Sequence, residues 1–167
     1  MEGGCADSGI GPASTGDNRP VCWGMVRVLI IAVIVIAVLV ALQPKGDSIS
    51  FGSHTFHVEV ANDVFEQARG LSGRDAIGAD EAMLFIFPLV KERTFWMKDM
   101  RFPIDIIWLR GGVVVGITPD VPPEPGVPED ALIRYPSPGQ VDQVVEVAAG
   151  TAARIGIHEG DAVQIAR

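Results

Sequence analysis

Apolar residues form one continuous run near the start of the chain and then alternate with polar residues. The run from Val28 to Leu42 holds fifteen residues without a polar side chain. Extended back to Trp23, it reaches about 20 residues, the length of a helix that crosses a bilayer. Arg27 lies near its end, where a long side chain reaches the membrane surface. We therefore predict a transmembrane helix over residues 21–43.

The residues around this run favour an anchor that is not cleaved. A signal-peptide site needs small residues at its end, but the candidate site after Ala41 has the bulky Leu39 three positions before the cut. Both cysteines, Cys5 and Cys22, precede the run, whereas a lipoprotein signal needs a cysteine directly after it. The segment is thus expected to stay in the protein.

Basic residues at the two ends of the run predict its orientation. Arg19 and Arg27 precede the apolar core and Lys45 follows it. Cytoplasmic ends carry the excess of Lys and Arg. The chain is therefore expected to be a single-pass protein of the cell membrane, with the bilayer as a partner and an extracytoplasmic C-terminal domain.

The composition divides the chain into four parts. Residues 1–20 are rich in Gly, Ser, Asp and Pro and are predicted to be disordered. The anchor over 21–43 is followed by a short tether over 44–48. Residues 49–167 are then expected to form one domain, since roughly 120 residues suffice for a hydrophobic core.

Alternation within this domain predicts a mainly β fold of the α+β class. Phe56, Val58 and Val60 share one face of a strand, and Asn62 or Asp63 can cap a short helix that ends at Gly70. Further strands are expected at 82–87, 93–97, 104–109, 113–118, 141–148 and 162–165. Gly111-Gly112 predicts a hairpin, and residues 119–130 predict a Pro-rich loop. Thr151 is expected to cap a second helix. We predict a small barrel-like antiparallel sheet with two short helices, preceded by one transmembrane helix.

Charge limits the partners of the domain. Residues 45–167 carry 11 basic and 18 acidic side chains, because Glu2, Asp7, Asp17, Arg19 and Arg27 precede them. The resulting net charge of −7 disfavours nucleic acid as a partner. The domain has no cysteine, so its compartment cannot be inferred from disulfides.

A series of short motifs runs through the domain. They are Phe95 to Leu109 (FWMKDMRFPIDIIWL), Arg69-Gly70-Leu71, Met83-Leu84-Phe85 with Phe87, Tyr135-x-Ser137, Val145-Glu146-Val147, Ala149-Gly150, Gly156-Ile157 and Gly160-Asp161. In their order these motifs resemble the domain of unknown function 192 family (DUF192) over roughly Val58 to Ile165. The sequence departs from the family at Ile104, where Leu is usual, at Ser72-Gly73, where Met is common, and in the Pro-rich loop. The resemblance implies a small β-barrel-like domain, often behind a signal or anchor, and no activity.

Four residues are the candidates for a binding site: Trp96, Lys98, Asp105 and Arg69. On a strand, Trp96 and Lys98 point to one face, and an aromatic ring beside a cation can hold a sugar or a polar metabolite. An inward-facing Asp105 would need a partner, for which Lys98 or Arg69 could serve. The alternative is a structural ion pair with Trp96 in the core.

The sequence leaves three functions open. We expect a small-ligand-binding or envelope-associated module, and the alternatives are an enzyme that uses Asp105 as acid or base and a structural module of a membrane complex. Glu146 either points outward from its strand or is a buried partner. No cofactor or metal is expected, since His54 and His57 point to opposite faces of a strand and no cluster of ligands supports them.

Overall fold

A computed structural model describes Val28, residues 30–34 and residues 46–167. The chain separates into two units, residues 1–44 and residues 45–167. In the first unit Val28 and residues 30–34 are helical and exposed. The predicted disordered segment 1–20 and most of the predicted anchor 21–43 lie outside the described residues. Across the described positions, no helix has both the length and the apolar character needed to span a bilayer.

The second unit is mainly β, as predicted. Its strands are β1 (Ser48–Phe51), β2 (His54–Ala61), β3 (Glu81–Lys91), β4 (Thr94–Phe95), β5 (Ile104–Arg110), β6 (Val113–Val121), β7 (Tyr135–Pro136), β8 (Val141–Ala148) and β9 (Val163–Ala166). Seven of them form one sheet in the order β6-β5-β8-β3-β2-β1-β9, and β4 pairs with β7. Two short helices, α1 (Val64–Arg69) and α2 (Thr151–Ile155), and a 3₁₀ turn (Glu129–Ala131) complete the described part of this unit.

The large sheet is curled towards a barrel and is mixed rather than fully antiparallel. Strands β2 and β3 are parallel, because the chain between them crosses over through α1. The two edges of the sheet meet where Val113 bridges Ala162 and the amide of Val163 donates to the carbonyl of Gly112 at 2.8 Å. The barrel-like prediction is confirmed, and the prediction of a purely antiparallel sheet is wrong for this one pair.

Local signals explain where several elements begin and end. The carboxylate of Asp63 accepts hydrogen bonds from the amides of Phe65 and Glu66, which caps α1 as predicted. Gly111 and Gly112 have φ angles of 57° and 76°, as the turn between β5 and β6 requires. The predicted cap of α2 is wrong: Gly150 is the cap residue, and Thr151 is buried inside the helix.

Pro88 does not end β3. The strand continues to Lys91 with an irregular register between Ile86 and Lys91, because a bulge accommodates a residue that has no amide hydrogen to donate. The strand predicted over 93–97 is correspondingly shorter and covers only Thr94 and Phe95. Trp96 and Lys98 therefore lie beyond its end.

The central strands are buried on both faces, and each face has its own core. Strand β8 lies between β5 and β3, so its side chains meet protein on either side. One core includes Phe56, Leu84, Ile107, Val145 and Val147, and the other includes Phe85, Met97, Ile106, Trp108 and Val144. The second core also packs against Phe87 and Phe95, which line a cavity at the surface of this core.

Candidate functional site

A cavity of about 310 Å³ lies between the end of α1, the turn that follows β3 and the middle of β8. Its volume is at the lower end of the range for small-molecule sites. Its walls combine four aromatic rings with five charged side chains. The aromatic residues are Phe85, Phe87, Phe95 and Trp96, and the charged residues are Arg69, Lys91, Glu92, Arg93 and Glu146.

Glu146 is the buried acid of this cavity. It stands opposite Met83 of β3 and Ile106 of β5, and its side chain is only 5% exposed. The Oε2 atom has no hydrogen-bond partner among the described residues. Burial raises the pKa of Glu146 from 4.5 to about 8, because desolvation disfavours the charged form. At neutral pH most of the protein therefore carries a neutral carboxylic acid at this position.

Gly70 leaves space beside this acid. It follows the last residue of α1, and its amide donates to the carbonyl of Glu66 at 2.8 Å. Its φ angle of 51° is one that residues with a Cβ rarely adopt. A methyl group there would lie 3.3 Å from Cζ of Phe85 and 3.9 Å from Oε2 of Glu146. The glycine thus places no side chain between the buried carboxyl and the cavity.

The aromatic walls are fixed by edge-to-face packing. The rings of Phe85 and Phe95 are 5.0 Å apart at 83°, and Phe95 meets the buried Trp108 at 5.4 Å and 88°. Trp108 itself donates from Nε1 to Oγ1 of Thr118 at 2.9 Å. Such arrangements stabilise ring positions beyond simple burial. The walls of the cavity are therefore preformed.

Two guanidinium groups cover the faces of aromatic residues that line the cavity. Arg93 lies 3.9 Å from the ring centroid of Phe87, and Arg134 lies 3.9 Å from that of Trp96. Arg93 also donates from Nη2 to the carbonyl of Leu89 at 2.7 Å. Its buried Nε finds no acceptor in the described part of the chain, and desolvation lowers the pKa of this guanidinium. The cavity thus borders a second polar group without a partner.

The structure brings two of the four predicted site residues together. Arg69 and Trp96 both line the cavity, and Trp96 is 40% exposed, so it is not a core residue. Lys98 lies elsewhere: it borders a neighbouring groove and pairs with Glu129 at 2.5 Å. This exposed ion pair raises the pKa of Lys98 and lowers that of Glu129.

Asp105 faces the opposite side of the sheet from Glu146. Its Cα pairs with Val147, one position along β8, so the two carboxyl groups point to different faces. The carboxylate of Asp105 is fully buried and accepts from three backbone amides, those of Asp120, Gly150 and Ala152, at 2.9 to 3.1 Å. The partners of Asp105 are therefore backbone amides and not the side chains of Lys98 or Arg69, which the sequence suggested. The arrangement holds the start of α2 against β5, which favours a structural role.

The sequence patterns did not identify Glu146 and Arg93 as the polar centre of the site. A signal for Glu146 was present in the run Val144-Val145-Glu146-Val147, because apolar residues on both sides indicate a strand that is buried on both faces. An acid in such a strand faces a core or a cavity. Arg93 gives no comparable signal, since it lies in a short polar turn.

Comparison with known proteins supports the fold and the family. A crystal structure from Sinorhizobium meliloti, described as "a putative transcription regulator", is 27% identical, covers 71% of this chain and 91% of its own, and superposes with a TM-score of 0.63. A protein of unknown function from Novosphingobium aromaticivorans is 30% identical, covers 73% and 89%, and has the same TM-score. The curated proteins gave no match. The sequence profile of DUF192, described as "Uncharacterized ACR", matches residues 48–165. The chain therefore belongs to the DUF192 family.

Proposed function

We propose that the domain binds a small molecule in the cavity beside Glu146 and that residues 21–43 hold it at the outer side of the cell membrane. The observation that carries the first part is the buried carboxyl oxygen of Glu146, which has no partner among the described residues and borders an open cavity. A buried polar group without a hydrogen bond destabilises a fold by about 1–3 kcal/mol. A ligand that completes this bond offsets the cost.

Binding agrees better with the geometry than catalysis by Asp105. That carboxylate is fully buried, accepts three backbone hydrogen bonds and faces the other side of the sheet. Preformed aromatic walls around one buried acid are typical of a small-ligand site. The net charge of −7 also argues against contact with DNA, so the description of the Sinorhizobium relative is not transferred to this chain.

A thermal-shift screen of the full-length protein against sugars, amino acids, organic acids and amines tests binding. A ligand at a hundred times its dissociation constant adds about 2.7 kcal/mol to the stability of the folded state, which raises the melting temperature. Each hit is then measured on two glycine variants. Gly70→Ala places a methyl group against Phe85 and Glu146, whereas Gly52→Ala meets nothing within 4 Å.

Both glycines have positive φ angles, 51° and 57°, so an alanine strains the backbone at either position. We expect Gly70→Ala to weaken binding and Gly52→Ala to leave it unchanged. Equal binding by the two variants would show that the ligand sits elsewhere. A screen without any hit that raises the melting temperature would refute the proposed function.

The location is tested separately with alkaline phosphatase fused to the C-terminus in a bacterial host. This enzyme needs disulfides that form outside the cytoplasm. We expect an active fusion with wild-type residues 1–48 and an inactive one after three arginines replace apolar residues of the run 28–42. An inactive wild-type fusion that is stably produced would contradict the proposed orientation.

A further inference from the structure

The charges around the cavity favour one class of ligand. Helix α1 contributes Arg69, the end of β3 contributes Lys91, and the following turn contributes Glu92 and Arg93. Opposite Glu146, β3 and β5 present only the apolar side chains of Met83 and Ile106. With Glu146 neutral, the lining carries three cations and one anion, a net positive charge that favours anions.

The aromatic rings do not offer a free cage to a cation. A ligand cation would bind over the face of an aromatic ring. The faces of Phe87 and Trp96 are already covered by Arg93 and Arg134, each 3.9 Å from the ring centroid. A second cation would be repelled by these guanidinium groups, which disfavours an amine over these two rings.

Two buried polar groups that line the cavity, the carboxyl of Glu146 and the guanidinium of Arg93, can each donate a hydrogen bond to a ligand. The neutral acid of Glu146 carries a hydroxyl hydrogen, and Nε of Arg93 carries an N–H. Neither atom has a hydrogen-bond partner among the described residues. A ligand with acceptor oxygens can therefore complete both groups, whereas a protonated amine offers no acceptor to Arg93.

We propose, as an inference that rests on the proposed function, that the cavity binds a small molecule with a carboxylate group and an apolar body. The carboxylate oxygens accept hydrogen bonds from Glu146 and Arg93. The apolar body packs against Phe85 and Phe95, whose rings are fixed edge to face. A volume of about 310 Å³ is about twice that of a cavity known to hold benzene, so it accommodates an aromatic ring together with its carboxylate. Charge-assisted hydrogen bonds to the carboxylate supply the polar part of the affinity.

Three probes that share one ring and differ in charge test this ligand class: benzoate, benzylamine and benzyl alcohol. Their dissociation constants are measured with the full-length protein at pH 6 by isothermal titration calorimetry. We expect benzoate to bind at least roughly tenfold more tightly than the other two, since hydrogen bonds to charged groups are stronger than those between neutral groups. Arg93→Gln should remove most of this preference, whereas Arg110→Gln, on an exposed arginine outside the cavity lining, should keep it.

The pH dependence identifies the contribution of Glu146. Ionisation of this residue removes its donor and adds a repulsive charge, so the affinity for benzoate should fall as the pH passes about 8. If only the neutral acid binds, the dissociation constant at pH 9 is roughly tenfold that at pH 6. Glu146→Gln keeps a donor that cannot ionise, and we expect it to bind benzoate at pH 6 and to lose this pH dependence.

Three results would overturn the ligand class. They are benzylamine binding as tightly as benzoate, a pH dependence that Glu146→Gln retains, and the failure of benzoate to bind. Benzoate can fail to bind while another compound stabilises the protein and binds more weakly to Gly70→Ala. In that case the proposed ligand class is wrong and the proposed binding site is correct. If Gly70→Ala weakens the binding of no compound, both the ligand class and the binding site are wrong.

Discussion

Replacement of Glu146 by glutamine should stabilise the fold by an amount that grows with pH. In the folded protein the pKa of Glu146 is about 8, against 4.5 for an unburied glutamate. Between these values the folded protein holds this proton and the unfolded chain has released it. The free energy of unfolding of the wild type therefore decreases as the pH rises from 4.5 towards 8, and then stays level.

The size of this effect follows from the difference in pKa. A difference of about 3.5 units corresponds to roughly 5 kcal/mol when each unit is worth about 1.4 kcal/mol. About 3 kcal/mol of this is lost by pH 7, which is a large fraction of the stability of a small domain. Glutamine has nearly the same shape and no charge to bury, so the variant escapes the loss.

The assay is urea unfolding of the full-length protein, followed by tryptophan fluorescence, at several values between pH 5 and pH 9. The buried indole of Trp108 becomes exposed on unfolding and reports the transition. We expect the difference in unfolding free energy between Glu146→Gln and wild type to rise by about 1.4 kcal/mol per pH unit up to about pH 8. Glu159→Gln, on an exposed glutamate, serves as the matched control and should show no such trend.

A constant difference between Glu146→Gln and wild type from pH 5 to pH 9 would refute this reasoning. It would mean that the buried carboxyl titrates as it does in the unfolded chain. A trend that saturates well below pH 8 would indicate that water reaches the cavity and reduces the cost of burying the charge.

Three further substitutions test the structural assignments. Asp105→Asn should lower the unfolding free energy by about 2–4 kcal/mol without changing ligand affinity, because it weakens the buried acceptor of three backbone amides. Asp142→Asn alters one exposed contact and should cost less than about 1 kcal/mol in the same urea titration. Thr118→Val leaves Nε1 of Trp108 without its acceptor and should cost about 1–2 kcal/mol, measured by calorimetry, and an unchanged melting temperature would contradict the assigned bond. Asp63→Ala removes the cap of α1 and should cost about 1 kcal/mol, while Asp63→Ser should restore most of it.

The parts of the fold that local sequence predicts are those that local interactions determine. The alternation of Phe56, Val58 and Val60 identified β2, and Asp63 before a short apolar segment identified the start of α1. In both cases the relevant contacts lie within a few residues of one another. The Gly111-Gly112 turn is likewise a property of two adjacent residues.

Errors arose where distant residues decide the structure. The register of β3 with β2 is parallel because of the path of the chain through α1, and alternation in a single strand carries no information about its neighbour. Thr151 looked like a cap, but Asp105, distant in sequence, accepts the amide of Ala152 instead. A local preference was thus replaced by a tertiary hydrogen bond.

By itself the sequence indicated a mainly β domain over residues 49–167 that resembles the DUF192 family, because the spacing of apolar residues and the order of short motifs are properties of the chain. The match of the family profile to residues 48–165 and the observed strands confirm this. The sequence also indicated Arg69 and Trp96 as candidates for the binding site, and both line the cavity. Only the tertiary structure decided which residues share a cavity, since β8 pairs with β3 and β5 across long stretches of sequence. That pairing buries Glu146 between two strands and beside Gly70, and burial, a property of the folded state alone, shifts its pKa to about 8.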